Sequence, residues 1–275
     1  MNASLCVSIV TYRPNSDHVR KTVQTLAAAL RHARTCGHLA SAEVVVVDNG
    51  PGREYRAQLS GLLEADVRPP LRARLISGHG NVGFGRGHNL AWRAVPADFH
   101  LVLNPDVALE PDAVDKALQY LLANARVVIL APEARGGSGE RLYLCKRYPS
   151  VLDLALRGFA PAALRRSFRA RLERYEMRDV LGEQPVKGVP IVSGSFMFCR
   201  RSALEAIGGF AEDFFLYFED FDLSLRAGRL GELAWVPSVR IVHYGGEAAR
   251  KGWRHVWFFA RSAVTFFNRN GWKWA

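Results

Sequence analysis

Apolar and polar positions in the first half of the chain follow two different periods. Residues 5–11 are a short apolar, β-branched run. Residues 17–33 carry apolar positions three to four apart, so a strand leads into a helix. Residues 43–48 (EVVVVD) hold four valines without alternation, which fits a strand covered on both faces. A third strand is predicted at 73–77, then a glycine-rich loop, a helix over 87–95 and a fourth strand at 100–104. Pro111 opens a further helix at the position where its missing N–H costs nothing, and residues 127–131 complete the series. Strands alternating with helices predict an α/β protein built on a parallel sheet.

The second half reads differently. Residues 134–189 contain an arginine-rich segment, with five arginines and one glutamate over 165–174. Residues 190–199 are strand-like, and 202–207 form a short helix ended by Gly208-Gly209. A helix over 219–227 stops at Gly228. Residues 234–242 are extended, and 253–268 form a final aromatic-rich helix. With no internal repeat or low-complexity linker, a single fused domain is predicted.

The chain has 275 residues, 49 % hydrophobic and 23 % charged, a globular composition that excludes a disordered or fibrous chain. No apolar run reaches the ~18 residues of a membrane span. The opening segment lacks a basic leader and soon meets Tyr12-Arg13-Pro14, so a cytoplasmic protein without a secretory leader is expected. Four cysteines without CxxC spacing indicate neither a zinc knuckle nor a disulfide framework. The net charge of +11 admits nucleic acid, an anionic membrane face or a phosphorylated substrate. No nucleic-acid reading motif accompanies it, so no nucleic-acid partner is expected.

Ligands of open parallel sheets bind beyond the carboxyl ends of the strands. Those ends carry Thr11-Tyr12-Arg13, Asp48-Asn49-Gly50, Asn81 in the glycine loop, and Asn104-Pro105-Asp106. Residues 78–83 match GxGxxG, the mark of a dinucleotide-binding dehydrogenase, but the loop follows the third strand rather than the first. Asp106 suits a divalent cation bridging a diphosphate, although an Asn-Pro-Asp turn also serves purely local hydrogen bonds. Around Glu219 and Asp220, three carboxylates lie in four positions beside aromatic residues. Asp222 is four residues from Arg226 and is expected to pair with it. Asp220 stands near a helix start, where the macrodipole favours the ionised carboxylate that a general base requires. His243 offers an imidazole to a metal or diphosphate, or else is a satisfied core histidine.

The segments SIVTYRP, VVVVDNG, NVGFGRGHN, LVLNPD, VSGSFMFCRRSALEAIGGFAEDFFLYFEDFDLSLRA and VHYGG, in that order, resemble the inverting GT-A glycosyltransferases of family 2. The likeness runs over residues 5–269. More narrowly it is similar to the bacterial rhamnosyltransferase branch, which uses dTDP-L-rhamnose in O-antigen and related polysaccharide assembly; LCKRYPSVLDL resembles that branch's middle insertion. The resemblance implies a single GT-A domain: a Rossmann-like, mostly parallel sheet flanked by helices, with the aromatic helix at its C-terminus. Residues to about 110 would be the nucleotide-sugar half, about 111–249 the acceptor half, and 250–275 an amphipathic tail.

It also implies roles. Thr11, Tyr12, Asp48, Asn81 and Arg86 would hold the nucleoside, with Asn104 and Asp106 at the place of the family's DxD motif. Asp106 and His243 would share a divalent cation, Mg²⁺ or Mn²⁺. Asp220 would be the base, with Gly194 and Glu219 beside the acceptor. Asn104 departs from the family's first Asp and removes one negative charge, as is usual in the rhamnosyltransferase-like branch. Two alternatives stand beside this reading: a UDP- or GDP-hexose donor, and a non-catalytic nucleotide-sugar or polysaccharide-binding module on the same fold.

Residues 250–275 hold six Lys or Arg, no acid, and eight Trp or Phe. Trp253, Val256, Trp257, Ala260, Val264 and Phe267 form one stripe, which Phe259, Ala263 and Phe266 widen. Such a helix either closes the core or lies in a headgroup layer. Because the related transferases extend glycans on lipid diphosphate carriers, the expectation is peripheral attachment to an anionic membrane at the cytoplasmic face of the inner membrane.

Overall fold

The computed structural model describes residues 3–245 and 253–275. In chain order the first half comprises β1 (Ala3–Thr11), α1 (Ser16–Thr35), β2 (Leu39–Asp48), α2 (Arg53–Asp66), β3 (Arg72–Ser77), α3 (Phe84–Ala94), β4 (Phe99–Leu103), β5 (Val107–Leu109) and α4 (Ala113–Ala123). There follow β6 (Val127–Gly136), β7 (Arg141–Leu142), β8 (Cys145–Lys146), α5 (Val151–Phe159), α6 (Ala162–Ser167), α7 (Arg169–Tyr175), β9 (Val186–Lys187) and β10 (Ile191–Val192). The chain continues through β11 (Phe196–Arg200), α8 (Arg201–Ile207), α9 (Glu219–Ala227), β12 (Glu232–His243) and α10 (Trp253–Asn270).

The main sheet runs β3-β2-β1-β4-β11-β6-β12-β5, and β10 pairs with β8 in a separate ribbon. β1 to β4 are mutually parallel, as their alternation with helices requires. β11 then enters antiparallel between β4 and β6, so the sheet is mostly, not wholly, parallel. The valines of β2 divide between the two faces. Val44 and Val46 pack with Leu26, Leu30 and Leu118 under α1 and α4, whereas Val45 and Val47 pack with Val10 and Ala91 under α3. Full burial of each such side chain is worth roughly 1.5–3 kcal/mol, which explains the absence of alternation.

The predicted strand over 190–199 is two strands, β10 and β11, separated by a polar turn at Ser193, Gly194 and Ser195. The aromatic helix is present, but its packed face is not the predicted one. Phe259, Ser262, Ala263, Phe266 and Phe267 turn inward against Phe214 and Phe218. Trp253, Val256, Trp257 and Val264 stand exposed. The residues that widened the stripe are therefore the core seam. α10 braces the acidic segment of the second half: the Ser262 hydroxyl donates to the Leu216 carbonyl (2.8 Å), and Arg269 pairs with Asp213 (2.6 Å) and Asp222 (3.3 Å).

Candidate active site

Each strand end predicted to carry chemistry ends in the same region, joined by a chain of short contacts. Asp48 closes β2 fully buried. Its Oδ1 accepts from the Gly50 N–H (2.8 Å), while its buried Oδ2 has no partner in the protein. A buried carboxylate oxygen left unpaired is costly, so a hydrogen-bond donor from a ligand would be favoured there. Asn49 donates from Nδ2 to the Gly83 carbonyl (3.0 Å), and its Oδ1 lies 3.0 Å from His79 Nε2. These bonds fix the glycine loop against the end of β2.

Gly83 begins α3 at φ +91°, in the left-handed region that favours glycine, and a Cβ there would overlap the Phe215 carbonyl. Phe84 N–H donates to that carbonyl (3.0 Å), joining the loop to the segment that carries Asp220. The loop thus serves the acidic segment, not a dinucleotide turn on the first strand.

Asp220 is the second residue of α9. Its Oδ2 accepts from the Gly194 N–H (2.7 Å) and its Oδ1 from the Phe221 N–H (3.0 Å). A Cβ on Gly194 would lie 3.0 Å from the Phe84 ring and 3.3 Å from Asp220 Cβ, so a side chain here would crowd both neighbours. Ser195 carbonyl accepts from Asn104 N–H (2.9 Å), which ties the same turn to the end of β4. Tyr217 and Phe218, immediately before the two acids, adopt φ of +71° and +65°. Such strain costs about 1–3 kcal/mol per residue and persists only where packing enforces it. Here the enforcement is the ring cluster of Phe218 with Phe221, Phe259 and Phe266.

Electrostatics separate the three acids. Asp222 is fully buried but paired with Arg226 (2.7 Å) and Arg269, as its spacing implied for the first. Burial pushes Glu219 well above the usual carboxyl range, and the Asp220 charge beside it adds to the shift. Burial also raises Asp220, against the Gly194 and Phe221 N–H bonds that favour its ionised form. Glu219, buried with an unpartnered Oε2, is the member of the pair whose ionised form burial disfavours more.

Asp106 and His243 also meet. His243 Nε2 is 3.3 Å from Asp106 Oδ1, which is buried without a hydrogen-bond partner, and the pairing of β5 with β12 sets His243 beside Val107. Burial would raise the Asp106 carboxyl, but His243 and more distant His18 bring it below its usual value. Gly245 passes so close that a Cβ would overlap Asp106 Oδ2 and lie 3.1 Å from His243 Nε2. An orphaned carboxylate oxygen and an imidazole nitrogen under a bare backbone fit a divalent cation that keeps water and phosphate oxygens as its other ligands.

The other predicted residues are placed less uniformly. Thr11 is buried at the end of β1, and Tyr12 is half-exposed beside it. Asn81 caps the glycine loop by accepting from the Gly83 N–H (3.0 Å). Arg86 points away from Asp48: its Nε donates to the Glu212 carbonyl (2.7 Å), and it lines a cleft of about 250 Å³ with Phe215, Phe258 and Arg261. His79, His18 and Tyr244 were not singled out in the sequence. His18 and Tyr244 stack at 5.3 Å, flanking Asp106. Tyr244 lies in the VHYGG segment, but its stacking on His18 is not legible locally, because α1 and the segment after β12 are distant in sequence.

A mostly parallel sheet with a glycine loop, strand-end acids and a carboxylate held at a helix start defines a GT-A-type architecture. The chain belongs to glycosyl transferase family 2, whose model matches residues 6–208; a second model, glycosyl transferase family group 2, matches 160–266. It is similar to the N-acetylglucosaminyl-diphospho-decaprenol L-rhamnosyltransferase of Mycobacterium tuberculosis, 29 % identical over 89 % of this chain and 77 % of that protein. It is also similar to rhamnosyltransferase WbbL of Escherichia coli K12, 25 % identical over 86 % of this chain and 82 % of that protein. Among solved structures, the mannosyltransferase PcManGT of Pyrobaculum calidifontis, in complex with GDP-Man and Mn²⁺, shares the fold. Its TM-score is 0.65 at 18 % identity, over 98 % of this chain. The chain spans 64 % of that mannosyltransferase's length.

Proposed function

We propose that this family 2 glycosyltransferase transfers L-rhamnose from dTDP-L-rhamnose, with inversion, to a hydroxyl of a cell-surface glycan precursor. The observation that carries the reading is the Asp220 carboxylate, aimed by two backbone N–H groups and reached from the same turn that binds the end of β4. Asp220 takes the proton of an acceptor hydroxyl as that oxygen attacks the anomeric carbon. The Gly194 N–H orients that carboxylate at the place proposed for the acceptor, and burial disfavours a second negative charge on the neighbouring Glu219. Asp48 holds the base through its free Oδ2, with Thr11, Tyr12 and Asn81 around the nucleoside. Asp106 and His243 would hold Mg²⁺ or Mn²⁺, which supplies charge neutralisation for the departing diphosphate. The rhamnosyl donor is favoured by the two rhamnosyltransferases among the relatives.

A panel of nucleotide sugars tests the donor. Stabilisation against heat and slow hydrolysis are expected with dTDP-L-rhamnose. Stabilisation by a UDP- or GDP-hexose alone would transfer the account to the alternative donors, and binding without hydrolysis or transfer would favour the non-catalytic module.

The acceptor is proposed to be linked to a lipid diphosphate, as the mycobacterial relative's name states for that protein. Among the described residues no helix is long and apolar enough to cross a membrane. Contact with the bilayer would instead use exposed Trp253, Val256 and Trp257 on α10, with exposed Phe159, Leu164, Arg165 and Arg166. Co-sedimentation with anionic liposomes at low salt, lost at high salt, is the expected result, since each basic residue contributes about 1 kcal/mol near the surface. Charge reversal at Arg165 and Arg166 together with Trp253→Ala and Trp257→Ala should abolish it. Removing residues 269–275 is not a clean test, because the Lys273 and Trp274 carbonyls accept from Val151 and Leu152 N–H at the start of α5. Absence of binding by the unaltered protein would refute attachment.

A further inference from the structure

At the end of the sheet opposite the strand-end acids, α1 stops in a rigid cap. His38 N–H donates to the Ala33 carbonyl (3.2 Å) and Gly37 N–H to that of Arg34 (3.0 Å), with Gly37 at φ +82°. This is the Schellman arrangement, and it fixes Cys36 and His38 relative to the last turn. His32 and Cys36, four residues apart, lie on one face of that turn, with Cys36 Sγ 3.5 Å from His32 Nε2.

Asp115, near the start of α4, reaches the same point. Ligand atoms of His32, Cys36 and Asp115 all lie within 4.8 Å of one another. Asp115 is buried, and both of its oxygens are oriented: His38 Nδ1 is 2.7 Å from Oδ1, and Gln119 Nε2 donates to Oδ2 (2.7 Å). The Ala3 N–H bond to the His38 carbonyl (3.0 Å) places the group at the amino end of β1, away from Thr11 and Asp48 at its other end.

We propose that His32, Cys36 and Asp115 bind a zinc-class divalent transition-metal ion, clamping the end of α1 to α4. Bond lengths of tetrahedral Zn²⁺ put thiolate sulfur and imidazole nitrogen about 3.6 Å apart, close to the separation present before any ion is added. A nitrogen, a sulfur and an oxygen select zinc-like ions over Mg²⁺ or Ca²⁺, which prefer oxygen alone. Cys36 binds as thiolate and releases its proton, His32 binds through neutral Nε2, and water completes the tetrahedron. One thiolate and one carboxylate neutralise the ion, and the negative end of the α1 dipole favours it further. His38 is the positioning residue, holding the carboxylate as outer partners of metal sites do. The three other cysteines are buried, so an accessible thiolate ligand is supplied by Cys36 alone. The sequence conceals the site, because it has no CxxC and its acid comes from a helix far along the chain.

Titration of the full-length protein with Co²⁺ alone tests the assignment. One equivalent should give tetrahedral d–d bands and a thiolate-to-cobalt charge-transfer absorption, both displaced by Zn²⁺. Cys36→Ser should lose the charge-transfer band, and His38→Ala should weaken affinity about 10- to 100-fold. The charge-transfer band should persist in Asp106→Ala, since that pair offers no sulfur and any cobalt it holds contributes only oxygen- and nitrogen-type absorption. Zn²⁺ should raise the melting temperature of the unaltered protein but not of the His32→Ala, Cys36→Ser variant. Absence of the charge-transfer band at saturating Co²⁺ in the Asp106→Ala protein, or a charge-transfer band that survives Cys36→Ser, would overturn the proposal.

Discussion

Asp220→Asn is expected to bind donor as the unaltered protein does while transferring sugar about 10²- to 10⁴-fold more slowly, which is the usual contribution of a positioned base. At 1.36 kcal/mol per tenfold, that is about 2.7–5.4 kcal/mol of lost transition-state stabilisation. The asparagine keeps an oxygen for the Gly194 or Phe221 N–H, so the fold of the turn should survive. Burial raises the Asp220 carboxyl above an exposed aspartate. The acid limb of kcat/KM should therefore be displaced upward from that of an exposed aspartate, with activity rising as pH increases through it, and should vanish in Asp220→Asn. Near-normal turnover in the variant would move the base to Glu219. Asp222 is not a candidate, since two arginines neutralise it in the interior.

Asp106→Ala carries the second large effect. An ion that stabilises developing charge on a leaving diphosphate contributes several kcal/mol, so a loss of about 10²-fold or more in kcat/KM is expected. In the unaltered protein a chelator should weaken nucleoside diphosphate binding, and in Asp106→Ala it should have no further effect. Asn104 already lacks one charge of the usual motif, which places most of the demand on Asp106 and His243. Equal nucleotide affinity with and without chelator would refute the cation and leave arginines to stabilise the leaving group. His32 and Cys36 lie at the opposite end of β1, so their replacement separates this response from any effect of the second metal site.

The parts of the molecule legible in the sequence are those where one physical demand dominates. Val44 to Val47 must be buried on both faces, which a strand inside a sheet covered by helices satisfies. The Asp222–Arg226 pair follows from helical spacing alone. Less legible elements carry weak or divided signals. α2 buries only Leu59 and Leu63, too few positions for a clear period. α5 begins with a capping box of Ser150 and Asp153, a readable signal masked by the surrounding arginines. In α10 apolar residues occupy both faces, and only the partners Phe214 and Phe218 decide which one packs. The free Oδ2 of Asp48, the stack of His18 on Tyr244 and the turn of Arg86 toward Glu212 depend on tertiary placement, so local pattern does not reveal them.

A single displacement driven by one carboxylate inverts the anomeric centre, so the configuration of the product is the decisive measurement. Transfer from dTDP-β-L-rhamnose to an acceptor analogue, followed by NMR at the anomeric centre, should yield an α-L-rhamnoside at a rate that collapses in Asp220→Asn. A β-linked product formed by the same protein would contradict this mechanism, since one displacement from the face opposite the leaving diphosphate cannot retain the configuration.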